Sequence, residues 1–155
     1  MRVLALIALL SLCAPAAGQA PARSTGELLY LPIYSHVWHG DLDAGGKPVK
    51  TLVSIAVSIR NTDPRNSIRV TSAQYFDTGG MKIKEFVPSA ITIAPLGTHE
   101  LFIERSDDTG GSGANFLISW SAEAPASPPI VEGIHANLPA GRSIIFTTSA
   151  RPVPR

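Results

Sequence analysis

The chain is dominated by short runs in which apolar and polar residues alternate. The clearest run is TLVSIAVSIRN, residues 51–61, where every second residue from Val53 to Ile59 is apolar and β-branched. A period of two places these side chains on one face and is typical of a strand with one buried face. The sequence Asn-Thr-Asp-Pro at 61–64 ends the run, because proline lacks an N–H and Asn and Asp favour turns.

Similar runs follow at intervals of roughly ten residues, separated by turn-forming residues. In SIRVTSAQYFD the apolar positions change phase near residues 71–73, which predicts a β-bulge, and 77–80 (DTGG) predicts a hairpin turn. Beyond residue 18 no segment has a helical period. The pattern predicts an all-β fold, namely an immunoglobulin-like antiparallel β-sandwich of about seven to nine strands with Trp120 in its core.

The N-terminal residues have the layout of a secretory signal peptide. Arg2 precedes an apolar run, 3–12, and small residues follow it, with cleavage expected between positions 18 and 20. We therefore expect export from a bacterial cell, to the periplasm or the extracellular space. Cys13 is the only cysteine, and Leu12 stands where a lipoprotein needs a small residue, so lipid anchoring at Cys13 is not expected.

The remaining chain divides into a flexible lead-in at 19–27, a single β-sandwich domain at 28–149 and a loose C-terminal tail at 150–155. Without Arg2 it carries twelve basic and twelve acidic residues. This balance does not favour nucleic acid or an anionic membrane as partner. No later apolar run approaches the length of a transmembrane segment, so none is expected after signal cleavage.

The glycine-rich segment DDTGGSGANFLISW, residues 107–120, is the first candidate site. It lacks the Lys and helix of a phosphate-binding loop, and the helix that follows a nucleophile elbow. It partly matches a calcium-binding repeat, with Asp107, Asp108 and Asn115 as oxygen ligands. The alternatives are a tight structural turn before a strand and an exposed loop that contacts a ligand.

The second candidate is YSHVWHG, residues 34–40. His36 and His39 are three positions apart and would face opposite sides of a strand, so joint binding of copper or zinc needs a turn here. The distant His99 and His135 would have to converge on them in the fold. The alternative is a set of histidines that only form hydrogen bonds at an edge strand.

Alternation also places Tyr34 and Trp38 on one face with Tyr30. This arrangement is compatible with a first strand packed on the core. It is equally compatible with an exposed aromatic strip, which would suit contact with a partner protein.

Several motifs together resemble one bacterial exported family, the domain-of-unknown-function family 3124. They are YLPIYSHVWHG, SIRNTDP, the pattern I-x-V-T-S-x-x-Y-x-D-T-x-G, DDTGGSGANFLISW and PPIVEGI, and they extend from about Tyr30 to Phe146. The resemblance implies an exported protein and assigns no activity, substrate or cofactor. His135 departs from the family pattern, in which an apolar residue usually stands at this position.

The leading functional expectation is a non-enzymatic exported domain that binds an unknown envelope protein or a small ligand through loops 36–47 and 107–115. No cofactor is expected for that role. The expected contact residues are Tyr34, His36, Trp38, His39, Asp107, Asp108 and Asn115. The alternative is a periplasmic metal-binding protein that uses His36 and His39, with copper, zinc or calcium as the ion. A hydrolase with an unrecognised site is a third reading.

Overall fold

The computed structural model describes residues 22–154, and every regular element in that range is a β-strand. The predicted signal peptide at 1–18 and the start of the lead-in lie outside the described residues. The strands are β1 Ser24–Pro32, β2 His36–His39, β3 Val49–Leu52, β4 Ser54–Arg60, β5 Ile68–Phe76, β6 Lys82–Glu85, β7 Ile91–Ile93, β8 Thr98–Ile103, β9 Asn115–Ala126, β10 Ile130–Asn137, β11 Ile144–Ser149 and β12 Arg151–Pro152.

The strands form two main sheets and a separate ribbon. One sheet has the order β12-β1-β9-β5-β6, with β7 also pairing with β5, and the other has the order β11-β10-β4-β8. The hairpin β2–β3 forms the ribbon. Each pairing within the described residues is antiparallel.

Alternate residues of both sheets share one hydrophobic core. Ile55, Val57 and Ile59 of β4 are completely buried in it, as the period-two pattern predicts, and they belong to the same buried cluster as Phe116 and Trp120 of β9 in the other sheet. Burial of an aromatic side chain of this size contributes on the order of several kcal/mol. The prediction of an all-β sandwich with Trp120 in its core is therefore confirmed.

Some details of the fold differ from the sequence prediction. The described chain has twelve strands where about seven to nine were predicted, and the difference lies in the short strands β2, β3 and β12, which give little alternation to detect. The predicted bulge is present as a register shift between Val70 and Ser72. The 77–80 turn joins β5 to β6, with the Asp77 N–H donating to the Met81 carbonyl at 2.9 Å.

Both predicted flexible ends are partly wrong. Residues 24–27 of the lead-in already belong to β1, where a register shift between Ser24 and Gly26 lets the strand continue along β9. In the predicted tail, β12 pairs with β1, and the Val153 N–H donates to the Leu28 carbonyl at 2.8 Å. Backbone hydrogen bonds hold these segments, and such bonds leave no trace in the side-chain pattern.

A buried carboxylate fixes the end of the sandwich where β4 finishes. Asp63 accepts hydrogen bonds from the backbone N–H groups of Arg65 and Asn66 at 2.9 Å and of Ser127 at 3.0 Å. Arg23 completes the set with an ion pair at 2.6 Å. These donors, led by the Ser127 N–H, hold the pKa of Asp63 well below its ordinary value. This end is therefore closed by internal hydrogen bonds.

Candidate functional site

The two predicted loops meet at the other end of the sandwich, where β4 begins. Lys50 of the β2–β3 ribbon pairs with Asp108, with Nζ and Oδ2 2.6 Å apart. The Ser35 hydroxyl donates to the carbonyl of Gly111 at 3.1 Å, and the Ser35 N–H donates to the same carbonyl at 3.0 Å. The structure therefore brings the ribbon and the glycine-rich segment together as one surface.

Much of the glycine-rich segment faces inward. Gly110 and Ala114 are buried. The Gly110 carbonyl accepts from the N–H of Thr78 at 2.8 Å and from its hydroxyl at 3.0 Å. The Gly113 N–H donates to the Thr78 Oγ1 at 2.9 Å. The segment is thus bound to the β5–β6 turn, and its exposed part is confined to 108–109 and 113.

Gly110 lies directly over the hydroxyl of Tyr75. Tyr75 is fully buried and stacks on Phe116, with ring centroids 5.3 Å apart. Burial raises the pKa of Tyr75 to about 12, and the Asp107 carboxylate acts in the same direction. The phenol is therefore neutral, and only a residue without a side chain fits above it.

The two acidic residues and Asn115 have separate roles in the structure. Asp107 Oδ1 accepts from the N–H of Thr109 at 3.1 Å and from its hydroxyl at 2.6 Å. The hydrogen bond and charge of Lys50 lower the pKa of Asp108. Asn115 is the first residue of β9, opposite Pro32 and Phe76. Each carboxylate thus already has a partner of its own in the fold.

His36 is buried at the base of the ribbon. Its Nδ1 lies 3.1 Å from the Ser35 hydroxyl, and its ring meets the edge of the Trp38 ring at 4.8 Å between centroids. Burial, followed by the nearby Lys50 charge, lowers the pKa of His36, while Asp108 acts in the opposite direction. The neutral ring therefore serves as a support for Trp38, which is 49% exposed.

The structure does not bring His36 and His39 together. They are the two ends of β2, paired residue by residue with β3, and positions three apart on a strand face opposite sides. His39 instead has its Nε2 2.8 Å from the Thr51 hydroxyl. The turn that joint metal binding requires is absent from this described hairpin. Across residues 22–154 no group of three His, Cys, Asp or Glu side chains is placed to hold an ion.

The other two histidines lie elsewhere. His135 is opposite Ile55 on one side of β4, and His99 is opposite Ile59 on the other side. Ile55 and Ile59 are four residues apart along that strand, about 13 Å. Tyr34 packs its ring edge-on against His135 and Phe146, at 5.7 and 5.8 Å. Tyr34 therefore packs mainly on neighbouring side chains, and Trp38 is the exposed aromatic of the predicted site.

Sequence reasoning missed a groove beside β3, between β3 and the loop that joins β10 to β11. It consists of hollows of about 650 and 680 Å³ that share Thr51 and Asn137. Lys50 and Arg105 line the first hollow, and Arg142 lines the second. We call this surface the β3 groove and define it by these five residues. None of the side chains that line it in the described chain is acidic.

The missed residues gave no local signal. The three cations come from β3, from the turn that follows β8 and from the β10–β11 loop, and only the sheet topology brings them together. A scattered lysine or arginine at a strand end normally indicates solvent exposure alone.

The fold and this surface define the class first: an all-β sandwich domain in which hydrogen bonds and an ion pair tie the β2–β3 ribbon to the glycine-rich segment. The match to a family model over residues 26–153 then identifies the chain, which belongs to the family described as "Protein of unknown function (DUF3124)". The resemblance deduced from the sequence motifs is confirmed.

One solved structure is similar in outline. It is entitled "Crystal Structure of Thermotoga maritima 1070", has a TM-score of 0.43 and 9% sequence identity, and the match covers 81% of this chain and 92% of that one. The comparison with curated proteins found no match. Among the described residues there is no helix of the length and apolar character that a membrane crossing requires.

Proposed function

We propose that this protein is a non-enzymatic binding domain of the bacterial envelope, exported by its N-terminal signal peptide. Its partner contacts the end formed by the β2–β3 ribbon, the 107–109 turn and the β10–β11 loop. The observation that carries the proposal is the support of Trp38: its half-exposed ring rests on buried His36, and the Lys50–Asp108 pair ties the ribbon to the sandwich. Supported, amphipathic aromatics are typical anchors of binding surfaces.

The physical argument is that the β2–β3 ribbon is already ordered before a partner binds. A partner that docks on a flexible loop must offset the entropy of fixing it, whereas this ribbon is held by hydrogen bonds from Ser35 and by an ion pair. A largely preformed surface loses less conformational entropy when a partner binds. At the opposite end Asp63 accepts internal hydrogen bonds, and among residues 22–154 that end presents no comparable aromatic side chain.

Site-specific photo-crosslinking in living cells tests this proposal. A benzophenone amino acid replaces Trp38 in one strain and Leu138 in a second, and both positions lie at the proposed contact end. The control replaces Leu96, which is 69% exposed. Leu96 lies just before the first residue of β8, whereas the proposed contact end lies beyond the last residue of that strand. We expect the same light-dependent adduct from both test positions and none from the control.

Two kinds of result would contradict the proposal, one from crosslinking and one from localisation. The first is an equal adduct from the control position, or no adduct from either test position. The second concerns location: in spheroplasts treated with external protease the protein should be degraded, and complete protection would exclude export. Both measurements use the full chain in its own envelope.

A further inference from the structure

We propose that the β3 groove binds an extended acidic peptide segment, which adds as a strand along the free edge of β3 while its carboxylates pair with Arg105 and Arg142. This inference rests on the proposed function, and it specifies the chemistry of the partner. It concerns the groove beside Trp38 and not the aromatic ring itself.

The first support is the position of β3. All four of its residues line the two hollows, Lys50, Thr51 and Leu52 the first and Val49 and Thr51 the second. Within residues 22–154, β3 pairs with β2 alone, so its other edge has no neighbouring strand. An open strand edge presents unpaired N–H and C=O groups, which an extended peptide satisfies by adding one more strand.

The second support is the charge of the groove. Arg105 and Arg142 are exposed, and neither has a carboxylate within salt-bridge distance among the described residues. Lys50 is already paired with Asp108, so these two arginines supply the uncompensated charge. Guanidinium groups favour planar carboxylate partners, which they bind through two parallel hydrogen bonds.

The dimensions of the groove agree with a short peptide. β3 has four residues and is therefore about 13 Å long, which matches four or five residues of an extended partner. Alternate side chains of such a partner point to the same side, so acidic residues at every second position would face the groove together. An acidic sugar chain offers the same charges but lacks the repeating amide groups that pair with a strand edge.

Fluorescence anisotropy with the purified chain, residues 19–155, tests this inference. The probe is a labelled peptide in which Asp and Val alternate over eight residues. Comparison ligands are the same peptide with Lys in place of Asp, the Asp peptide with alternate backbone amides methylated, and an oligogalacturonate of equal charge. We expect the unmodified Asp peptide to bind at least about tenfold more tightly than each comparison ligand, and binding to weaken as salt is raised.

The matched variants are Arg105→Ala and Arg142→Ala, with Arg65→Ala as the control. Arg65 is also exposed, but it lines a different hollow, next to Glu123. Each groove variant is expected to weaken binding of the Asp peptide about threefold to fivefold, and the control should leave it unchanged. Equal loss in the control, or equal binding of the methylated peptide or the oligogalacturonate, would overturn the inference.

The two proposals fail separately. Peptide binding in vitro with no adduct in the envelope would overturn the proposed function, but it would still support binding of an acidic peptide by the β3 groove. An adduct at Trp38 without peptide binding would overturn the groove chemistry alone.

Discussion

Gly110→Ala is expected to destabilise the protein by about 3 kcal/mol or more, a large effect for the addition of one methyl group. A Cβ at this position would overlap the Tyr75 hydroxyl and lie 2.7 Å from Tyr75 Cζ and 2.8 Å from the Ala114 Cβ. Neither neighbour can move freely, because Tyr75 is stacked on Phe116 inside the core. Urea unfolding of the variant, followed by circular dichroism, measures the loss.

Gly45→Ala is the matched control for Gly110→Ala. Its Cβ would meet only the Asp43 Oδ1 at 3.3 Å, in an exposed turn where that oxygen accepts the N–H groups of Gly45 and Lys47 at 2.8 and 2.9 Å. We expect a change within about 0.5 kcal/mol there. Adding Tyr75→Phe to Gly110→Ala removes the overlapping hydroxyl, and the double variant should regain at least about 1 kcal/mol. Additive losses in this cycle would show that the Gly110–Tyr75 contact is not the cause.

The second large effect is on the pH dependence of stability. His135 is completely buried, its ring stacks on Phe146 at 4.4 Å, and its Nε2 accepts the Tyr34 N–H at 3.1 Å. Burial lowers the pKa of His135 to about 4, although backbone contacts of Phe146 and Gly133 act in the opposite direction. In the unfolded chain the ring binds a proton near pH 6.5.

Between these two values the unfolded state binds more protons than the folded state. The contribution of His135 to stability is therefore complete above about pH 6.5 and is lost as the pH falls towards 4. A shift of this size corresponds to about 3 kcal/mol, and His36, whose pKa is also lowered, adds in the same direction. Urea unfolding at pH 7 and at pH 4.5 should show most of this loss.

His135→Leu separates this titration from general weakening of the core. At pH 7 it should cost about 1–3 kcal/mol, because the buried Tyr34 N–H loses its acceptor. Between pH 7 and 4.5 its stability should fall much less than that of the wild type. The control is Ile59→Val, which removes one buried methylene-sized group and should retain the full pH dependence. Equal slopes in His135→Leu and wild type would contradict the assignment.

The strands were predictable because their signal is local. The alternation from Val53 to Ile59, the phase change near residues 71–73 and the burial of Trp120 each follow from a few neighbouring residues, and all three are present in the structure. The strand pairing of both chain ends was missed, since it rests on backbone hydrogen bonds between segments far apart in the sequence.

The candidate site was only partly predictable, because its geometry depends on contacts between distant segments. The sequence indicated glycines at 110–113, but not that Gly110 is needed for space above Tyr75, thirty-five positions earlier. It placed His36 and Trp38 in a contact region, yet the support of one ring by the other depends on the regular hairpin with β3. The arginines of the β3 groove come from separate connections and become neighbours only through the sheet order.

The pairing of β12 with β1 has a practical consequence for recombinant work. β12 has two residues and covers part of the outer edge of β1, next to Leu29 and Tyr30. A stop codon or a carrier protein placed at residue 150 would remove that cover and leave the edge free to recruit strands from other molecules. Shortened versions should therefore keep the chain through Val153, and affinity tags at the C terminus need a spacer after it.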